Sequence, residues 1–118
     1  MAAPNIASLT SITGKTAVAI ATTTLANVIS NSAGSNNVLK VNSMLLTNYS
    51  ATTVTSNVNI VRSGTNYPIA GTISIPGNSS LALIGRYLTF YLEEGDYVQV
   101  NANAATSLSI TSSYEIIT

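Results

Sequence analysis

Apolar and polar residues alternate with period two along almost the whole chain, and no stretch carries the spacing of an amphipathic helix. "VTSNVNIVR" sets Val54, Val58 and Ile60 against Thr55, Asn57 and Asn59. "YPIAGTISI" sets Tyr67, Ile69, Ile73 and Ile75 against Pro68, Ala70, Thr72 and Ser74. Pro68 lacks an N–H, so that strand starts there or lies at a sheet edge. "VLKVNSMLLTN" places Leu39, Val41 and Leu45 on one face, and "KTAVAIATT" places Val18 and Ile20 on one face. In "RYLTFYLE" Leu88, Phe90 and Leu92 oppose Tyr87, Thr89 and Tyr91. "YVQVNAN" buries Val98 and Val100, and "SLSITSSYEII" lines up Leu108, Ile110, Tyr114 and Ile116. Turn chemistry separates these runs: "SAGSNN", "SGTN", "PGNSS", "EEGD" and "AATS". About eight short strands of this kind predict an all-β antiparallel β-sandwich, jelly-roll-like. The alternative is an immunoglobulin-like Greek key, although a true immunoglobulin domain carries a Trp and a Cys pair, and both residue types are absent.

The chain has 118 residues, the size of one domain with a hydrophobic core of its own. Residues 15–118 read as that domain. Residues 1–14, "MAAPNIASLTSITG", mix apolar and polar positions around Pro4 and end in Gly14. They read as an arm that drapes over a neighbour through Pro4, Ile6, Leu9 and Ile12, with a frayed terminus as the plain alternative.

Missing residue types exclude most chemistry. There is no Cys, hence no disulfide framework and no thiolate. There is no His, which removes the commonest general base and metal ligand. A serine nucleophile then needs Lys15 or Lys40 as its base, and both stand in polar alternating strands where lysine faces water. The reading is not an enzyme and needs no cofactor. Lys15, Lys40, Arg62 and Arg86 are too few for a basic patch, so no nucleic acid is expected. No apolar run reaches about 18 residues, so no membrane span is expected. The N-terminus lacks the pattern of a secretory signal, and the sequons at Asn48 and Asn78 read as chance in an Asn- and Ser-rich chain.

Charged residues are 7% of the chain and the net charge is zero. Typical domains carry about 25%. Ser, Thr and Asn supply more than a third of the residues, so the surface is solvated by hydroxyls and amides. Nothing repels one copy from the next, and an assembly subunit is the expectation.

Three of the four acidic residues fall in "YLEEGDYVQV": Glu93, Glu94 and Asp96. They sit too close in sequence to span a glycosidase cleft. A hard cation such as calcium is the candidate ligand for them, but the oxygen-ligand spacing of an EF-hand is absent. The structural reading is a hairpin tip, with Gly95 supplying positive φ and the acids keeping the turn wet. Tyr87 and Tyr91 oppose the Leu88/Phe90/Leu92 face, so this strand is bulky on both sides. One side fits a domain core and the other a subunit interface, or ordinary half-burial of tyrosine.

The run Leu92, Gly95, Asp96, Val98 and Val100 resembles a hairpin used by C1q/tumour-necrosis-factor-like trimeric domains. Residues 38–118 as a whole resemble small virion structural proteins of tailed phages, notably cyanophages. The resemblance is carried by Val41/Met44/Leu46/Asn48, by Thr72–Pro76 with Leu81–Leu83, by "YLEEGD" at Tyr91–Asp96 and by "SYEII". It implies a virion protein made in a bacterial host cytoplasm. The concrete expectation is a capsid decoration (cement) protein, bound to the major capsid protein and to itself as a homo-oligomer, a trimer above all. A neck, tail or baseplate accessory and a glycan- or receptor-binding module are the alternatives.

Overall fold

The computed structural model describes residues 6–85 and 88–118. A single 3₁₀ turn, Ile6–Ser8, precedes nine strands. They are β1 (Ile12–Ile20), β2 (Ala26–Ser30), β3 (Val38–Asn48), β4 (Val54–Arg62), β5 (Thr65–Ile75), β6 (Ser79–Ile84), β7 (Phe90–Leu92), β8 (Tyr97–Ala102) and β9 (Leu108–Ile117). The first sheet runs β1-β9-β3-β6, with β7 also paired to β3. The second runs β2-β8-β4-β5. All pairs are antiparallel. The chain thus crosses between sheets repeatedly and its first strand pairs with its last. That is the jelly-roll order, and it overturns the immunoglobulin-like alternative, in which the two sheets take strands in a different sequence.

Inward positions of both sheets form one core. Val41, Met44 and Leu46 of β3 meet Leu108 and Ile110 of β9 on one side, and Val54, Val58, Val98 and Val100 on the other. Val98 and Val100 are buried as their alternation requires. Pro68 lies in an edge strand, where its missing N–H costs no central ladder bond.

Four expectations change, each for a local reason. Nine strands replace about eight because Ser79–Ile84 forms a strand separate from the one in "RYLTFYLE". Leu88 donates its N–H to Gly85 O, and β6 and β7 then pair with different halves of β3. Leu88 consequently stands exposed instead of sharing the face of Phe90 and Leu92. A bulge between Val41 and Ser43 shifts the phase of β3, so Leu45 points outward while Met44 and Leu46 are fully buried. In β5, register shifts opposite Ser56–Asn59 break the expected alternation: Ala70 is buried and Tyr67 is exposed. Finally, β1 begins at Ile12, inside the segment assigned to an arm. Ser11 and Thr118 exchange both backbone bonds, and Thr10 also donates to Thr118 O, so this end is tied down to the chain's own C-terminus.

Several buried polar groups are paired. Asn48 donates to Thr52 O and Ile75 O and accepts from Ser50. Ser112 donates to Ser43 O, and Ser56 to Asn101 O. Gly77 packs against the Ala51 carbonyl so closely that a Cβ would lie 2.4 Å from that oxygen.

Candidate functional site

The acidic turn closes one end of the sandwich. Leu92 ends β7 and Tyr97 starts β8; Gly95 between them has φ 89°, a conformation glycine reaches at least cost. Because β8 and β4 pair regularly up to Val61 and Tyr97, the next cross-strand neighbours are Arg62 and Asp96. The Arg62 Nε donates to both carboxylate oxygens of Asp96, at 3.0 and 3.1 Å, and its Nη2 donates to Asp96 as well. Nη2 also meets Glu93 at 2.7 Å. Asp96 further accepts the Glu93 N–H at 2.8 Å. The hydrogen bond to Asp96, aided by the fields of Asp96 and Glu93, holds the guanidinium pKa above its ordinary value against the opposing effect of burial.

Asn31 lies under the same turn. It exchanges backbone bonds with this loop, accepting from Gly95 N and donating to Asp96 O. Its side chain donates to Leu92 O and Asn37 O and accepts from the Ser35 hydroxyl. Glu94 accepts the Asn36 N–H through one oxygen, while the other is buried without a partner. The expectation of a wet tip therefore fails for Asp96, which is only 2% exposed. It holds for Glu93, whose side chain is 61% exposed.

This arrangement neutralises charge internally. The carboxylate of Asp96 is committed to Arg62 and to a backbone amide, and no group of three His, Cys, Asp or Glu among the described residues is placed to hold a metal ion. An open depression lined by Ile60, Arg62 and Tyr67 adjoins the pair.

The interface candidates do not converge. Pro4 and Tyr87 lie outside the described residues. Ile6 begins the 3₁₀ turn. Leu9 is half-buried, and Ile12 and Tyr91 are exposed on the first sheet at opposite edges of β1-β9-β3-β7. What the expectations missed is that one apolar face of β1 is exposed. Register aligns Val18 with Thr111 and Leu45, and all three face solvent. Val18 is 75% exposed, and Ile12 and Ile20 on the same face are 52% and 53% exposed. The signal was present in the alternation of "ITGKTAVAI", but alternation does not say which face meets water.

No family model matches the chain, and no curated protein matches it. Its fold is similar to that of a Bacillus endospore appendage protein. That solved structure belongs to a study of these appendages as a novel family of disulfide-linked pili. The similarity covers 91% of this chain and 88% of the other, with a TM-score of 0.55 and 18% identity. It extends to the β-sandwich as a whole. Disulfide linkage is not open to this sequence, which has no cysteine.

Proposed function

We propose that the chain is a non-enzymatic structural subunit that works by packing against other protein chains. The concrete form of the proposal is a tailed-phage virion protein, decorating the head shell as a small homo-oligomer bound to the major capsid protein. One observation carries it: a sandwich with almost no surface charge leaves Ile12, Val18 and Ile20 on one exposed strand face. Each Å² of such surface removed from water is worth about 25 cal/mol before entropy costs. Many copies on a particle add weak contacts into a strong one.

Copy number tests the placement. Densitometry of purified particles giving a stoichiometry near that of the shell protein supports decoration. A stoichiometry limited to one vertex or to the tail moves the protein to the neck, tail or baseplate. A second reading is a subunit of a pilus-like filament, favoured by the likeness to the endospore appendage protein across nine-tenths of the chain. Electron microscopy of the purified, concentrated chain separates the two: ordered filaments of this protein alone support the second and sink the decoration role.

A further inference from the structure

We propose that the free edge of β1 pairs antiparallel with β1 of a second copy, about a two-fold axis at Thr16. The inference rests on the assembly role proposed above and names its surface and partner.

Sheet edges are templates for pairing with another chain unless something blunts them. Four of the five edge strands here are blunted, β7 by its length of three residues. β2 is five residues long and has a register shift between Asn27 and Ile29. β5 carries Pro68 and two register shifts. β6 is six residues long and slips against β3 between Met44 and Leu45. β1 has none of these devices. It pairs with β9 without a break over all nine residues, contains no proline, and has Lys15 as its one charge. Among the described residues no strand lies on its outer side.

The direction of its backbone groups follows from the register. Ser11 and Thr118 exchange both N–H···O bonds, and Ala21 donates to Leu108 O. Both pairs continue the β1–β9 register, so odd-numbered residues point their N–H and C=O at β9. The even-numbered ones, Ile12 to Ile20, point theirs at the free edge. Two such edges can pair antiparallel only with even residues opposite even residues.

The sequence "ITGKTAVAI" is self-complementary in the register that uses the full strand. Ile12 lies opposite Ile20 of the second copy, Gly14 opposite Val18, and Thr16 opposite Thr16. These are apolar-on-apolar, large-on-small and threonine-on-threonine pairs, the kinds that stabilise antiparallel sheets. Lys15 meets Ala17 and not another lysine. The even-numbered face of β1 carries no charge, the nearest being Glu115 of β9 beside Gly14, and the exposed side chains of Ile12, Val18 and Ile20 become shared between the two copies. The partner is thus a second copy of this chain, and the product is one continuous sheet through both subunits.

The absence of cysteine makes the register directly readable. Cα atoms of a hydrogen-bonded antiparallel pair stand about 5.5 Å apart, within disulfide reach. Under mild oxidation Thr16→Cys is expected to form a covalent dimer, whereas Val18→Cys alone does not and cross-links only when mixed with Gly14→Cys. Sedimentation at about 1 mM, the concentration that half-fills a contact with a Kd of that order, is expected to show wild-type dimer. Thr16→Pro, which deletes an outward N–H, and Val18→Lys, at a solvent-facing position, are expected to be monomers with unchanged circular dichroism and melting. A monomeric wild type, a Thr16→Cys cross-link no faster than that of Val18→Cys, or dimeric Val18→Lys overturns the proposal. If Val18→Lys still enters particles or filaments as wild type does, the β1 contact is refuted while the structural role stands.

Discussion

The acidic end and the β1 edge use the same ladder logic to opposite effect. At the acidic end, cross-strand pairing brings Arg62 to Asp96 and commits the Asp96 carboxylate inside the subunit, with Asn31 tying the neighbouring loops. At β1, the ladder to β9 is complete on one side, and among the described residues no strand pairs with the other side, beside exposed aliphatic side chains. The first region spends its interactions on stability. The second leaves them unused among the described residues. Of the chain's few charges, Arg62, Glu93 and Asp96 gather at the first region, and Lys15 is the one charge on the second.

Substitutions can break this contrast, starting where the effect is largest. Arg62→Met leaves the buried Asp96 carboxylate with only the Glu93 N–H for a partner. The expected loss is about 3 kcal/mol, at the low side for breaking buried ion pairs because the arginine is 46% exposed. Urea unfolding measures it, and a loss below half of that would mean that water already solvates Asp96. Asn31→Ala follows, at about 2 kcal/mol, because Leu92 O, Asn37 O and the Ser35 hydroxyl all lose a partner. Glu93→Ala is expected to cost about 0.5 kcal/mol at low salt and less at high salt, as exposed pairs do. A double-mutant cycle with Arg62→Met isolates that coupling. Last comes Val18→Lys, expected within about 0.5 kcal/mol of wild type for a solvent-facing substitution. Equal losses at Val18 and Asn31 would erase the distinction between the two regions.

The turn at "EEGD" was legible because Gly95 and the flanking Leu92 and Val98 are local signals. The partner of Asp96 was not, since Arg62 lies 34 residues away and only the β4–β8 register brings it there. Leu45 shows a second limit. Alternation identifies a strand without fixing its phase, and one bulge after Val41 turns Leu45 from core to surface. The same ambiguity hid the apolar outer face of β1.

Period-two alternation and turn residues determined by themselves that this is a β-sandwich, and composition that it has no imidazole or thiol. Those are properties of neighbouring residues and of composition, so no fold is needed to read them. Which strands became edges, which acid was buried and which apolar face met water were decided only by the tertiary structure. Each depends on which distant strand lies alongside, and that is set by packing two sheets into one core.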